Sequence, residues 1–313
     1  MRVFLLTVLI LHFVVTGASG QNKEADDHYN QLEEKYRRLR DSLSLLHPFI
    51  PAISSVMIQK GQVEINLFNS LTTANRYRGD DGKIADLAVR QTYFYSTLQV
   101  TYGISEKSKL NIGLDINSIS GRVDFDRTSS MFKVFNPHVE GNSQHATAIT
   151  SIAPRLRWRP LKKSYNFTIQ TSVGLPISIS TEKQPVLGQS QFYLLTQFLY
   201  NQPLSKRLFL FTQYSVQYNF KRDYTPASLI SPLTFYLSYL VPKKIIFFGL
   251  LNYVPIFTDY NKWTYRYTLQ PGGGVQYQIS RSVLINGYYT NDIKGKNYPD
   301  FSSYNISLRF VTH

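Results

Sequence analysis

Residues 165–179 read YNFTIQTSVGLPISI, and side-chain character changes at nearly every step. Tyr165, Phe167, Ile169, Thr171, Val173, Leu175, Ile177 and Ile179 share one parity. Asn166, Thr168, Gln170, Ser172, Gly174 and Ser178 share the other. A period of two belongs to a β-strand, whose successive side chains point to opposite faces. Strands of soluble sandwiches average about five or six residues. A longer strand with one apolar face and one face of amides, hydroxyls and glycine suits a wall between lipid and a wet interior.

The same pattern extends in both directions from Gln62 onward. Val63, Ile65 and Leu67 oppose Glu64 and Asn66. Leu110, Ile112, Leu114 and Ile116 oppose Asn111, Gly113, Asp115 and Asn117. Further strands are expected over 91–104, 146–159, 190–201, 207–221, 229–241, 244–257, 264–279, 282–292 and 301–311. Tight turns are expected at 105–108, 160–164, 203–206, 242–243 and 280–281, and longer connections at 71–88, 121–145, 180–189, 222–228, 258–263 and 293–300. Outer-membrane barrels join strands by short periplasmic turns and longer external loops. The fold class expected is therefore all-β: a transmembrane antiparallel up-and-down barrel of about 12 strands over 61–313, with both chain ends in the periplasm.

Composition agrees with such a wall. There are 23 Tyr and 20 Phe, aromatics reach 14%, charged residues fall to 17%, and mean hydropathy is -0.21. Only outward positions of a barrel need to be apolar, so its average hydropathy resembles that of a soluble chain, and aromatics collect in interfacial girdles. A secreted β-sandwich is the rival class. Arg2, the apolar run Val3 to Val15 and the small residues Ala18, Ser19 and Gly20 read as a signal peptide over 1–20, cut before Gln21. The chain has no cysteine, which excludes a lipoprotein anchor and disulfides. Residues 21–60 form a segment of their own. Tyr29, Leu32, Tyr36, Leu39, Leu43 and Leu46 are spaced three and four apart, the stripe of an amphipathic periplasmic helix over 22–46 that serves the barrel rim, a plug or a partner.

In the last strand Tyr304, Ile306, Leu308 and Phe310 oppose Ser303, Asn305, Ser307 and Arg309. This resembles the C-terminal targeting strand of bacterial outer-membrane proteins, with Val311, Thr312 and His313 following the aromatic. By pattern, residues 61–313 resemble the channel-like outer-membrane barrels of Gram-negative bacteria. The resemblance implies outer-membrane lipid, lipopolysaccharide and the barrel-assembly machinery as partners.

Strand parity places Arg155, Arg157, Arg159, Arg266, Arg309, Glu64 and Asp115 in the lumen. Arginine at the bilayer midplane costs about 2–4 kcal/mol, so Arg155, Arg157 and Arg159 turn inward. Trp158 then points outward as an interface anchor, and Trp263, in an external loop, marks the other girdle. Two readings of the charges compete. Rings of Arg select anions in pores; alternatively Asp115 pairs with Arg155 and Glu64 with Arg309 to stiffen the wall. The function expected is a non-enzymatic channel or transporter for small hydrophilic solutes, small anions among them, with no cofactor and no resident metal. A structural or assembly barrel that engages a partner, and a lipid-modifying barrel enzyme, are the alternatives. The enzyme would need a nucleophile and base near the outer rim, and only His138 and His145, with Ser143 and Glu140, lie there. Asp80, Asp81 and Asp86, and Asp124 and Asp126, are two acidic groups that a divalent cation would suit, without EF-hand spacing. The net charge of +14 is scattered and carries no nucleic-acid-binding motif. Oligomeric state is not legible in the sequence.

Overall fold

The computed structural model describes residues 57–312 except 106–107, 140, 142, 162–165, 189, 224, 242–243 and 260–262. The expected signal peptide and the 22–46 helix lie outside the described residues. The strands in chain order are β1 (Val63–Arg78), β2 (Ile84–Gly103), β3 (Leu110–Asp124), β4 (Gln144–Trp158), β5 (Phe167–Pro176), β6 (Tyr193–Pro203), β7 (Leu208–Asn219), β8 (Ser228–Ile230), β9 (Leu233–Val241), β10 (Ile245–Asp259), β11 (Trp263–Gln278), β12 (Val283–Asn291), β13 (Lys294–Lys296), β14 (Tyr298–Pro299) and β15 (Ser302–Val311).

Every pairing is antiparallel, successive staves of the wall pair in chain order, and β15 closes the cylinder by pairing with both β12 and β1. β8 and β9 are two parts of one stave, since each pairs with β7 and β10. The break falls at Ser231 and Pro232, where proline has no N–H for the ladder. β13 and β14 belong to the connection from β12 to β15 and pair with β11 and β1. The result is a closed 12-strand antiparallel barrel.

The distribution of side chains is inverted relative to a soluble core. Asn66, Thr101, Asn111, Thr168, Gln276 and Asn286 are buried facing inward, whereas Ile112, Leu237, Phe247, Ile306 and Phe310 are exposed facing outward. Large contiguous apolar exteriors do not persist in water. Arrayed around a closed cylinder, they form a lipid-facing belt.

Three expectations are corrected at the end of the barrel that carries the longer connections, the loop end. The loop expected over 71–88 is mostly strand. β1 and β2 stay paired to Arg78 and Ile84 across an irregularity between Ala74 and Arg76, leaving only 79–83 as connection. Backbone pairing is indifferent to the charged side chains that made this stretch read as loop. Conversely, the alternation over 165–179 overstates β5, whose pairing with β4 ends at Pro176. The Ile177 N–H still donates to the Thr150 carbonyl at 2.9 Å, Ile179 is buried in the following connection, and that connection continues through a 3-10 turn (Thr181–Lys183) and a single helical turn (Gln184–Leu187). Trp263 lies not in a loop but at the start of β11, paired with Asp259.

At the opposite end, the turn end, residues before β1 run along the inner face. The Gly61 N–H donates to the Gly103 carbonyl at 2.9 Å. With its amide oriented to satisfy both groups, Asn111 donates to the Ile58 carbonyl at 3.2 Å and accepts from the Ile58 N–H at 3.1 Å. Gly103 permits this approach, because a Cβ there would sit 1.9 Å from the Gln59 carbonyl oxygen.

Candidate functional site: the charged lumen

The inward residues of β15 and of β1 to β5 build a charged cluster. Closure of the barrel sets Arg309 opposite Asn66 and beside Glu64. Its Nε donates to Glu64 Oε2 at 2.9 Å, and a second guanidinium N–H donates to the same oxygen. Asn66 Nδ2 donates to Glu64 Oε1 at 2.8 Å, so both carboxylate oxygens are bonded. Burial of a charge is tolerated only with such pairing.

Arg155 faces Gly113 across the β3–β4 pair. Its guanidinium lies over that glycine, where a Cβ would meet two of its nitrogens at 3.0 Å. From there it donates to the Thr101 hydroxyl on β2 and reaches Asp115 Oδ1 at 3.4 Å. Gln99 Nε2 donates to Asp115 Oδ2 at 3.2 Å.

Arg157 sits between these two pairs without joining either. Its Nε donates to Gln170 Oε1 at 2.7 Å, and Gln170 is itself held by Gln197 at 2.6 Å. It lies close enough to both pairs to interact electrostatically with Glu64, Arg155, Arg309 and Asp115. Among the described residues, three guanidinium groups of this cluster thus face two carboxylates, one positive charge in surplus. Among the described residues, no carboxylate lies within ion-pair distance of Arg157.

The remaining expected site residues lie apart. Arg159 follows β4, half-buried, with its N–H donating to the Lys109 carbonyl at 3.0 Å. Arg266 is near the loop end, where it donates to the Thr258 hydroxyl at 2.9 Å. Trp158 and Trp263 occupy outward positions at opposite ends of their strands.

Across the lumen stands a wall that the sequence reading missed. Phe211, Tyr236, Phe248 and Tyr288 project inward from β7, β9, β10 and β12, and their rings follow one another at centroid distances of 5.9 Å. Both faces of β10 are largely apolar, and on β9 Tyr236 and Leu240 share the inward face with Thr234 and Ser238, so polarity does not single out the inward rings. The glycines held the signal. Gly274 lies opposite Tyr288 and Phe248, and a Cβ there would come 2.4 Å from that of Tyr288.

The other groups considered from sequence are engaged otherwise. Asp80 pairs with Lys296 at 2.9 Å, Asp81 with Lys83 at 3.1 Å, Asp86 with Arg127 at 2.7 Å and Asp124 with Arg122 at 2.8 Å. Hydrogen bonds from Lys296 and Asn297 hold the Asp80 carboxyl below its ordinary range. Among the described residues, no three His, Asp or Glu side chains are grouped to hold a metal ion. His145 Nε2 is bonded to Ser120 Oγ at 3.2 Å and lies 3.1 Å from the Val134 carbonyl oxygen, joining a loop to the wall.

No protein-family model matches the chain, and no curated protein sequence matches it. Solved structures do. The chain is similar to the COG4313 outer membrane channel from Pseudomonas putida F1, with a TM-score of 0.64 and 10% identity, covering 84% of this chain and 100% of that one. It is similar also to the beta domain of the Bordetella autotransporter BrkA, with a TM-score of 0.50 and 11% identity over 78% of this chain and 98% of that one. At such identities the likeness is one of fold, a closed antiparallel β-barrel like those of these outer-membrane proteins.

Proposed function

We propose that the protein is an outer-membrane channel for small hydrophilic solutes with a preference for anions. The carrying observation is Arg157. It is a lumen cation beside two internally neutralised ion pairs, with no carboxylate of its own among the described residues, so a passing anion meets attraction that these pairs have not already satisfied. In this reading the turn end and both chain ends face the periplasm, the loop end faces outward, Trp158 and Trp263 sit in the two interfacial girdles, and residues 1–20 direct export. Lipopolysaccharide surrounds the barrel, and the assembly machinery inserts it.

The test is conductance of the refolded full chain in planar bilayers under a salt gradient. The expected reversal potential favours anions and moves toward zero in Arg157→Gln. Absence of any conductance in the parent protein overturns the channel reading. A reversal potential unchanged in Arg157→Gln removes the anion preference alone.

A further inference from the structure

The connection after β3 folds down over the outside of the barrel wall at residues 130–139. Along β2, β3 and β4 the outward positions are apolar toward the turn end, as at Leu98, Ile112 and Leu156, and become polar toward the loop end at Thr92, Ser120, Arg122, His145 and Thr147. β10 and β11 show no such change, since Tyr253, Phe257, Tyr265 and Trp263 keep their outward faces aromatic almost to their last pairs. One sector of the exterior is therefore polar where the β10 and β11 sector is not.

The loop covers that sector. Arg122 is buried, paired with Asp124, and its Nη1 donates to the carbonyls of Lys133, Asn136 and His138 at 3.3, 3.1 and 3.1 Å. Ser120 Oγ donates to the Val134 carbonyl at 3.2 Å, and Val134 is fully buried. The Phe135 ring packs edge-on against outward-facing Phe94 with centroids 4.9 Å apart. A buried guanidinium bonded to three carbonyls makes this a built attachment, one that fixes both the position and the orientation of the segment.

The outer surface presented in this way is aromatic. Phe132 and Phe135 are 62% and 53% exposed, with Val139 and Lys133 also exposed in the same segment. The cover thus replaces hydroxyls, an imidazole and a guanidinium by two phenyl rings, next to the apolar belt on the same strands. A loop bathed in water gains nothing from that arrangement, whereas rings beside a lysine suit the boundary between headgroups and acyl chains.

We infer that residues 130–139 are a membrane-interface anchor, with Phe132 and Phe135 seated in the lipid of the outer leaflet and Lys133 at its phosphates. This rests on the membrane-barrel reading but not on any solute passing the lumen. The segment restores the apolar belt where the strands themselves abandon it.

The test uses the full chain with Trp158→Phe and Trp263→Phe, carrying Phe132→Trp as the sole indole, in phosphatidylcholine and phosphatidylglycerol vesicles brominated either near the headgroup or deep in the acyl chain. An indole about 5–10 Å into the headgroup and acyl boundary should lose more than half its emission to the shallow bromine, less to the deep one and little to aqueous acrylamide. Adding Arg122→Ala should reverse that preference while the barrel stays heat-modifiable on gels. Quenching by acrylamide alone before that substitution overturns the anchor. Protection from both bromine and acrylamide, with a crosslinked dimer, assigns the surface to a second copy and overturns it equally. A companion Ile112→Trp reports the belt. If it too escapes bromine, the membrane reading itself has failed; if it alone is quenched, only the anchor has.

Discussion

The two walls of the lumen face the same space and are held together by different physics. The wall of β15 and β1 to β5 is built from charges whose desolvation is offset only by the partner each finds across a strand boundary, Glu64 with Arg309 and Asp115 with Arg155. The wall of β7, β9, β10 and β12 is built from rings in mutual contact, where dispersion and apolar burial act without directional partners. A charged wall should fail abruptly when one member is removed. An aromatic wall should fail gradually, in proportion to the volume lost.

The largest effect tests the charged side. Arg309→Ala leaves the Glu64 carboxylate buried without its cation and should cost about 3–5 kcal/mol, read from the urea midpoint of the heat-modifiable gel band. The Glu64→Gln/Arg309→Gln double variant should recover most of that loss. If the double is as damaged as the single, the pair is not what holds this wall.

Next comes the aromatic side. Phe248→Ala removes the ring between Tyr236 and Tyr288. Its half-exposed lumen position reduces the expected cost to about 2 kcal/mol, below the 3–5 typical of a fully buried aromatic. Single-channel conductance should rise in the same variant. A loss matching that of Arg309→Ala would erase the distinction between the walls.

Glycines sharpen the contrast further. Gly274→Ala places a Cβ 2.3 Å from the Gly287 carbonyl oxygen, an overpacking worth about 1–3 kcal/mol. Gly249→Ala, on the outward face of β10 with nothing within 4 Å, should stay within about 0.5 kcal/mol of the parent in the same urea series. Equal effects at the two positions would mean that close ring packing is not what requires Gly274.

The smallest effect on stability belongs to Arg157→Gln. That substitution removes a charge no carboxylate balances and one hydrogen bond to Gln170, about 1 kcal/mol or less. Its electrical effect should exceed that of any substitution on the aromatic wall. A reversal potential shifted as far by Phe248→Ala would show that pore size, not the surplus charge, governs ion preference.

How far the site could be read from sequence depended on contrast between the faces of each strand. Where polar and apolar residues alternate, as around Asp115 and Arg155, inward positions were evident, and antiparallel order alone brought Glu64 near Arg309. The reading failed where contrast vanished. The aromatic wall was hidden because its rings sit on inward faces otherwise read by polar residues or, in β10, on a strand apolar on both faces, and the paired extension of β1 and β2 was hidden in charged residues that resemble a loop. Arg122 was hidden for another reason: its partners are the carbonyls of Lys133, Asn136 and His138, and backbone acceptors leave no mark in residue identity.

By itself, the sequence determined the class of structure. A strand period of two, long strands and the repeated return of the chain require an antiparallel wall with an apolar and a polar side, because each side chain is committed to one face by the pleat. Only the tertiary structure decided what those faces do together. Closure set β15 against β1 and so completed the Glu64 and Arg309 pair. The same closure left Arg157 as the cation without a carboxylate among the described residues, opposed the charged wall to the aromatic one, and left one loop folded outward over Arg122. These are contacts between residues far apart in the chain. Their energies depend on distance and desolvation, which no local pattern of residues encodes.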